Sequence, residues 1–358
     1  NGSGNVDDLN GWLLSQGGAM DNDLCGAVMW SNDYSGLSDL CGATGSATVT
    51  FTATDDCGNS STTSATFTIE DTTDPTIGTA ASDQTVECDG TSDPGGAFAA
   101  WLANNGGAAA SDACGNVTWS NNSSGLSDLC GATGSETVTF TATDECGNSS
   151  TTSASFTIED TSNPTIDVSA SDQTVECDGA GNTAALNAWL ASNGGATASD
   201  VCGSVTWSND FSGLTDDCGA TGIATVTFTA TDECGNVNNT SATFTIEDTT
   251  DPTIGTAASD QTVECDGTSD PGGAFAAWLA SNGGAAASDA CGSVTWSNNS
   301  SGLSDLCGAT GSETVTFTAT DECGNSSTTS ATFTIEDTTD PTIGTAASDQ
   351  TVECDGTG

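Results

Sequence analysis

Apolar residues alternate with polar ones over two long stretches of the chain. They occupy every second position of T-V-T-F-T-A-T (137–143) and of A-S-F-T-I (154–158). A period of two places the apolar side chains on one face of an extended strand and the intervening Thr and Ser on the other. The pattern therefore predicts two long strands with one buried face each, joined by a hairpin loop at C-G-N-S-S-T-T.

A second pattern has the spacing of a short helix. Phe98, Trp101 and Leu102 stand at positions i, i+3 and i+4, which share one helical face. Asp93 and Pro94 precede them as an N-cap and a proline in the first turn, and a Gly-Gly pair ends the pattern. We predict a short helix that packs its apolar face, including the Trp, into the core instead of presenting the Trp to a sugar.

Shorter strands complete the unit. A P-T-I segment begins at Pro75, and Q-T-V-E-C (84–88) extends that strand. V-T-W (117–119) follows the helix as a further short strand, and a loop rich in Ser, Asn and Gly leads on to the first long strand. The predicted order is thus strand, helix, short strand and two long strands.

This unit recurs along the chain. The motif A-T-D-D/E-C-G-N recurs with spacings of 89, 88 and 89 residues, and P-T-I follows the same period. Units 76–164 and 253–341 differ at only five positions, whereas 165–252 and the opening segment share a second variety of helix sequence. Such self-similarity predicts a tandem array in which two repeat types alternate.

We predict a mainly β fold, an elongated array of immunoglobulin-like β-sandwich repeats of about 89 residues, each with one short helix. The predicted boundaries are an incomplete repeat without its first strand at 1–75, complete repeats at 76–164, 165–252 and 253–341, and the start of another at 342–358. Because these boundaries are out of register with the ends of the sequence, we expect the array to continue in both directions.

The charge of the chain narrows the possible functions. It has 50 Asp and Glu residues and no Lys, Arg or His, a formal net charge of −50. No side-chain cation is available to neutralise phosphate or to dock on anionic lipid, so nucleic-acid partners and basic membrane docking are excluded. Every carboxylate must instead be solvated, hydrogen-bonded or held by a cation from outside the chain.

The 16 cysteines indicate the compartment. None lies in a C-x-x-C pair and no His accompanies them, which argues against a zinc site. Regular cysteines of this kind are typical of disulfides formed in an oxidising, extracellular compartment. The sequence has no apolar run of 18 residues and no signal peptide, so we expect no membrane insertion and an export signal or anchor outside this window.

Chain direction suggests disulfides within each repeat. Cys88 and Cys130 are expected at the bottom of their repeat, and Cys114 and Cys146 at its top. Each such bridge would contribute about 3–4 kcal/mol in the chain-entropy model. The predicted pairs are Cys25–Cys57, Cys88–Cys130, Cys114–Cys146, Cys177–Cys218, Cys202–Cys234, Cys265–Cys307 and Cys291–Cys323.

Carboxylates concentrate where one repeat meets the next. Linkers of the form E-D-T-T-D-P are expected to abut the top of the following repeat, where the D-x-C-G Asp and the hairpin acids also lie. The predicted ligands are Glu70, Asp71, Asp74, Asp112, Asp144, Glu145, Glu159, Asp160, Asp200, Asp232, Glu233, Glu247, Asp248, Asp251, Asp289, Asp321 and Glu322. Oxygen ligands at this density suit Ca²⁺, which takes 6–8 of them. The alternative is a set of solvated surface acids. Asn163 replaces an Asp in the middle linker, which predicts weaker binding there.

A catalytic function fits poorly. Without His, Lys or Arg, a Ser or Cys nucleophile has no ordinary base and a developing oxyanion has no cation. Paired acids such as Asp144 and Glu145 could serve a glycosidase, but nearly the same pair recurs in each repeat, as expected of a structural motif. We predict that the chain is not an enzyme.

The motifs D-T-T-D-P-T-I, V-T-F-T-A-T-D-E-C-G-N-S-S and A-T-F-T-I-E-D resemble the HYR-like, immunoglobulin-type repeats of giant Bacteroidota surface proteins. The helix segment L-N-A-W-L-A-S-N-G-G-A-T-A-S-D is similar to the variant in very large adhesins of the SprB, gliding-motility type. The resemblance covers the whole chain, although the usual C-P after P-T-I is absent and the cysteine comes later, at Cys88. It implies secretion, cell-surface display, an adhesive or filament-forming role, and O-glycosylation at Thr72, Thr249 and Thr338.

These observations predict a stalk or spacer of a giant secreted adhesin or surface filament, stiffened by disulfides and by Ca²⁺ at the junctions. Its partners would be the neighbouring repeats of the same chain. Two alternatives remain: repeats that bind surface polysaccharide directly, and repeats that pack laterally against other copies in a multi-chain filament. Near-identity of the units favours a spacer, because a spacer can lengthen by duplication without retuning a site.

Overall fold

The structure is a computed structural model that describes residues 5–304 and 308–355. The chain divides into two compact units. The first comprises Asn1–Ile166, Ala198–Thr206 and Ala230–Asn238, and the second comprises Asp167–Thr197, Trp207–Thr229 and Asn239–Gly358.

The same elements recur in each repeat. The opening repeat has α1 (Val6–Leu14), β1 (Val28–Asn32), β2 (Gly45–Asp55) and β3 (Ser60–Ile69). The repeat 76–164 has β4 (Thr76–Thr79), β5 (Gln84–Glu87), α2 (Ala97–Ala103), β6 (Ala109–Ser111), β7 (Thr118–Asn121), β8 (Gly134–Thr143) and β9 (Ser149–Glu159). The repeat 165–252 has β10 (Thr165–Val168), β11 (Gln173–Glu176), α3 (Thr183–Ala191), β12 (Thr197–Ser199), β13 (Val205–Asn209), β14 (Gly222–Asp232) and β15 (Val237–Glu247). The repeat 253–341 has β16 (Thr253–Thr256), β17 (Gln261–Glu264), α4 (Ala274–Ala280), β18 (Ala286–Ser288), β19 (Thr295–Asn298), β20 (Gly311–Thr320) and β21 (Ser326–Glu336).

Two sheets and a helix form a complete repeat. In 76–164 the larger sheet has the order β5-β9-β8-β7, with β5 parallel to β9 and the other neighbours antiparallel, and β4 pairs with β6 in a two-stranded sheet. The repeat 253–341 has the same arrangement, with β17-β21-β20-β19 and β16-β18. The predicted fold class, mainly β tandem sandwiches with one short helix each, is confirmed.

One predicted strand is two strands. The segment from P-T-I to Q-T-V-E was predicted as one extended strand, but β4 and β5 belong to different sheets. Two hydrogen bonds hold the crossing between them: Ala81 N–H donates to Thr152 Oγ1 at 3.1 Å, and Ser155 N–H donates to Asp83 Oδ1 at 2.8 Å. The small and polar residues between the strands let the chain change layers at this point.

The core lies between the four-stranded sheet and the helix. Val138, Phe140 and Phe156 are fully buried, as the alternating pattern predicted. Trp101 meets Phe140 edge to face, with ring centroids 5.2 Å apart, and its indole N–H donates to Ser82 O at 3.1 Å. The Trp is therefore a core residue whose one polar atom is satisfied, and not an exposed platform for a sugar.

The helix begins close to where its cap was predicted. Asp93 accepts hydrogen bonds from the N–H groups of Phe98 (2.7 Å) and Ala99 (3.1 Å). A 3₁₀ turn at Pro94–Gly96 separates the cap from α2. The carboxylate thus satisfies two backbone donors that the start of a helix leaves without partners.

The opposite face of the large sheet is built from hydroxyl groups. Thr137 pairs with Ser155 at 2.8 Å and Thr139 with Ser153 at 2.9 Å across β8 and β9. Cross-strand pairs of this kind stabilise a sheet without an apolar surface. This face offers hydroxyl groups, and not an apolar stripe, to any lateral neighbour.

Candidate junction sites: disulfides and carboxylates

The ends of the strands place the cysteines. Cys88 N–H donates to Glu159 O at 2.8 Å, so Cys88 lies where the linker leaves the repeat. Cys130 precedes β8, whose first residue, Gly134, pairs with Ile158 beside the same linker. Both cysteines therefore lie at the predicted bottom of the repeat.

The disulfides nevertheless join neighbouring repeats. The observed pairs are Cys41–Cys146, Cys88–Cys202, Cys130–Cys234, Cys177–Cys291 and Cys218–Cys323. The predicted pairs Cys88–Cys130, Cys114–Cys146, Cys177–Cys218, Cys202–Cys234 and Cys291–Cys323 are wrong. Among the described cysteines, the free thiols are Cys25, Cys57, Cys114, Cys265 and Cys354, so the pair Cys25–Cys57 does not form. The prediction for Cys265 involves Cys307, which lies outside the described residues.

The physical reason is that the bottom of one repeat inserts into the top of the next. Ala132 N–H donates to Cys202 O at 2.8 Å, and equivalent bonds join Ala43 to Cys114 and Ala220 to Cys291. Gly131 has φ +55°, and a Cβ there would collide with Cys202 O. A glycine is needed at this close approach, which brings cysteines of adjacent repeats within bonding distance.

These bridges close long loops. Their sequence separations are 104 to 114 residues. The chain-entropy model gives about 4.7 kcal/mol for a loop of roughly 100 residues, more than the intra-repeat pairs would have supplied.

A non-reducing peptide map tests the pairing. Because the chain contains no Lys or Arg, digestion with a protease that cuts at acidic residues is required. We expect cross-linked peptides for Cys88–Cys202 and Cys130–Cys234. A peptide joining Cys88 to Cys130 would contradict the inter-repeat pairing.

Carboxylates from two segments, the linker and the D-x-C-G loop, meet at each junction. Three groups of residues each bring their carboxylate oxygen and sulfur atoms within 4.8 Å of one another. The groups are Asp71, Asp112 and Cys114; Asp160, Asp200 and Cys202; and Asp248, Asp289 and Cys291. Cys202 and Cys291 are disulfide-bonded and cannot act as thiolate ligands. The linker Asp and the D-x-C-G Asp therefore come together as predicted.

Backbone donors orient the acids of the middle junction. Cys202 N–H donates to Asp200 Oδ1 at 2.7 Å. Asp232 Oδ1 accepts from the N–H groups of Cys234 (2.8 Å) and Asn236 (2.9 Å). Asp232 is only 6% exposed, and its Oδ2 has no hydrogen-bond partner among the described residues. A buried, unpaired carboxylate oxygen costs free energy unless a cation or a donor reaches it.

Burial and neighbouring acids both disfavour the charged form of the linker Asp at these junctions. Burial, followed by the charges of Asp200 and Asp232, raises the pKa of Asp160 above its usual value. Asp248 has a raised pKa for the same reason, burial coming first and the charges of Asp289 and Asp321 adding to it. The chain has no cation to relieve this repulsion, so the geometry fits an external cation with oxygen ligands.

Other predicted ligands lie apart from these groups. Asn116 Nδ2 donates to Glu145 Oε1 at 2.8 Å, and Ser204 and Ser293 engage Glu233 and Glu322 in the same way. The remaining predicted ligands outside the three-residue groups, in the part of the chain that the structure describes, are Glu70, Asp74, Asp144, Glu159, Asp232, Glu247, Asp251 and Asp321. Since Asp74 and Asp251 are not in the groups, Asn163 does not replace a group member at the middle junction, and weaker binding there stays a prediction.

The sequence reasoning missed one set of acids. Glu176 accepts hydrogen bonds from Thr249 N (2.8 Å) and Oγ1 (2.9 Å) and from Thr250 Oγ1 (2.7 Å), which fastens the linker to β11. Glu87 and Glu264 fasten their linkers similarly. The recurring Glu before the cysteine of Q-T-V-E-C was the available signal.

These hydrogen bonds between the Glu of Q-T-V-E-C and the linker Thr residues, which we call the linker lock, involve two of the predicted glycosylation residues. The hydroxyl of Thr249 donates to Glu176, and that of Thr338 donates to Glu264 at 2.8 Å. A glycan on either oxygen would remove that donor. Thr72 is exposed in the first linker, and glycosylation of all three residues remains a prediction.

No helix in the described part of the chain is both long and apolar enough to cross a membrane. No family model matches the sequence, and no curated protein matches it.

Cadherin ectodomains are among the solved structures that match the chain. The protocadherin GammaB4 extracellular domain is 14% identical, over 81% of this chain and 54% of that chain, with a TM-score of 0.28. Drosophila N-cadherin EC1-4 is 8% identical over 82% and 84% (TM-score 0.24), and mouse cadherin-23 EC22-24 is 13% identical over 74% and 99% (TM-score 0.25). The chain spans about half the length of the protocadherin structure.

The linker lock predicts a pH dependence. Hydrogen bonds, first that from the Thr250 hydroxyl, hold the pKa of Glu176 below its ordinary value of 4.5. A lowered pKa in the folded state stabilises the lock above pH 4.5 and loses that contribution as pH falls through the folded pKa. We expect the amide NMR signal of Thr249 to move with a midpoint below 4.5, and Glu176→Gln to abolish that titration.

Glu247→Gln, which neutralises an exposed acid of the same linker, is the matched control and should leave the Thr249 titration unchanged. A midpoint at or above 4.5 in the unsubstituted protein would contradict the lock.

Proposed function

We propose that the chain is a structural stalk or spacer of a secreted cell-surface adhesin, of the giant Bacteroidota, gliding-motility type that its motifs resemble. The observation that carries this proposal is the set of disulfides between repeats. Such bridges require an oxidising compartment, which supports an extracellular location. The absence of His, Lys and Arg supports a non-enzymatic role.

The bridges provide a short covalent path along the array. Cys41 is bonded to Cys146, only 16 residues of the β8 segment separate Cys146 from Cys130, and Cys130 is bonded to Cys234. The next 16 residues lead through β14 to Cys218, which is bonded to Cys323. Force applied along the chain therefore passes through single strands and bridges and bypasses the rest of each repeat.

This path limits extension. Sixteen residues span at most about 55 Å when fully extended, whereas a whole repeat of 88 or 89 residues would span about 300 Å. A stalk built this way resists stretching even if the core of a repeat opens. That property suits a spacer under mechanical load.

The alternatives gain less support. A polysaccharide-binding repeat needs exposed aromatic platforms, and Trp101, Trp189 and Trp278 are each about 5% exposed or less. The neighbouring repeats of the same chain are the partners that the bridges favour.

Calcium at the junctions is the second part of the proposal. Asp160, Asp200 and the unpaired Asp232 Oδ2 supply carboxylate oxygens at the middle junction, and Asp248 and Asp289 do so at the next. A bound Ca²⁺ would relieve the repulsion that raises the pKa of Asp160 and would hold the linker against the following repeat.

Single-molecule stretching tests the stalk. The oxidised chain should show no releases of about 300 Å, because no repeat can extend fully while its bridges persist. After reduction, successive releases of that length should appear. Full-length releases from oxidised molecules would contradict the proposal. The double variant Cys130→Ser/Cys234→Ser, which keeps the other bridges, should show releases of intermediate length.

Calorimetry on the full chain tests calcium binding. After removal of divalent ions, we expect heat with Ca²⁺ at neutral pH, and we expect Asp232→Asn to weaken one site at least tenfold. Asn keeps the Oδ1 acceptor for Cys234 and Asn236, so the loop should still form. Asp216→Asn, an exposed acid in a loop, makes the same charge change and should have no effect. No heat at millimolar Ca²⁺ would remove the calcium part and leave the covalent stalk intact.

A further inference from the structure

The linkers between repeats are open to cleavage. In the linker that joins 76–164 to 165–252, Thr161, Ser162 and Asn163 are exposed, and residues 160–164 lie between β9 and β10 outside any helix or strand. Exposed segments of small polar residues are preferred sites of proteolytic nicking. If the repeats were joined only by such linkers, one cut would divide the molecule.

Two disulfides span each of the linkers 159–164 and 247–252, and each disulfide joins a cysteine before the linker to a cysteine after it. The spanning pairs are Cys88–Cys202 and Cys130–Cys234 for the first linker, and Cys177–Cys291 and Cys218–Cys323 for the second. The backbone of a linker is therefore only one of three covalent connections between its repeats, and a cut leaves the other two.

The two disulfides at a linker belong to different covalent paths. The path described above uses Cys130–Cys234. A second path crosses from Cys88 to Cys202, returns through β12 and α3 to Cys177, and crosses from there to Cys291. Its segment 177–202 spans at most about 90 Å when extended, so it limits extension if a bridge of the first path is lost. Neither path contains residues 147–176, which include the linker.

Hydrogen bonds hold the start of the linker in place. Thr161 donates to Glu87 through its N–H at 2.8 Å and through its hydroxyl at 3.0 Å. Asn236 Nδ2, from the following repeat, donates to Asp160 O at 3.1 Å. This end of the linker is thus attached both to its own repeat and to the next.

The end of the linker has attachments of its own. Pro164 is buried, and its carbonyl oxygen accepts a hydrogen bond from Asn238 Nδ2 at 3.0 Å. The repeats also meet away from the linker, where Ala132 N–H donates to Cys202 O at 2.8 Å. None of these contacts depends on the peptide bond in the middle of the linker.

We propose that the array tolerates cleavage of its linkers: after a cut between Ser162 and Asn163, both disulfides keep the repeats in one molecule and the junction stays assembled. The inference rests on the inter-repeat disulfides of the proposed stalk and extends their role from load to proteolysis.

The cut itself adds no net charge to the junction. Hydrolysis breaks the C–N bond, adds one water, and leaves a carboxylate on Ser162 and an amine on Asn163. Near neutral pH most of the amine is protonated. The new positive charge therefore offsets the new negative charge among acids that have no other side-chain cation.

A single cleavage site tests the covalent part. Because the chain has no Lys or Arg, Ser162→Lys gives trypsin one site and leaves Thr161 bonded to Glu87. Without reductant we expect one molecule, heavier by one water. After reduction we expect two fragments, residues 1–162 and 163–358. The double variants Cys88→Ser/Cys202→Ser and Cys130→Ser/Cys234→Ser, each made with Ser162→Lys, keep one spanning bridge and should also stay whole.

Two outcomes would overturn this part. Separate fragments without reductant would also remove the inter-repeat disulfides from which the stalk is inferred. Failure of trypsin to cut would contradict the exposure of the linker, and would leave the stalk as it stands.

Hydrogen exchange tests whether the junction stays assembled. The Ala132 amide, which donates across the junction, should keep its protection within about twofold after cleavage. The uncut Ser162→Lys protein is the reference, and amides of β8 in the core serve as the internal control. A loss of protection of about tenfold or more at Ala132 alone would overturn the assembled junction, and it would leave the disulfides and the stalk intact.

Discussion

One electrostatic constraint acts throughout the molecule: the chain has 50 carboxylates and no side-chain cation. Ion pairing within the chain is impossible, so acids that lie near one another need neutral donors or a foreign cation. Asp93 at the helix, Asp83 at the layer crossing and Glu176 at the linker all use backbone or hydroxyl donors. These carboxylates act as structural acceptors, which is why the acidity does not prevent folding.

At the junctions, neutral hydrogen-bond donors do not satisfy every carboxylate oxygen among the described residues. Asp160 and Asp248 have raised pKa values because burial and neighbouring acids both disfavour the charge, and Asp232 keeps one oxygen unpaired. Covalent bonds oppose this repulsion. Cys130–Cys234 and Cys88–Cys202 join the repeats on both sides of the linker, so the junction holds whether or not a cation is bound. The disulfides at a junction therefore hold its carboxylates together against their repulsion.

The repeats are also incomplete as isolated units. Each bridge takes one cysteine from each of two repeats. Stability in such an array resides in interfaces between neighbours as much as in each core, as in other repeat proteins.

The periodicity of apolar residues was enough to predict the long strands, the helix and the core residues of each repeat. A period of two specified β8 and β9 and their buried Val138 and Phe140, and a spacing of i, i+3 and i+4 specified the helix with Trp101 in the core, because each side chain's direction follows from backbone geometry. Chain direction even assigned Cys88 and Cys130 to the correct end of the repeat. The sequence also placed the linker acids near the D-x-C-G acids.

Tertiary structure alone decided the partners. Cys88 lies at the same end as Cys130, yet it bonds to Cys202 of the next repeat, against which the backbone at Gly131 and Ala132 packs. The division of one predicted strand into β4 and β5, and the turning of Glu145 toward Asn116, likewise depend on neighbours far away in sequence. Periodicity determines which way a side chain points within its own element, whereas its partner depends on how separate elements are brought together in space.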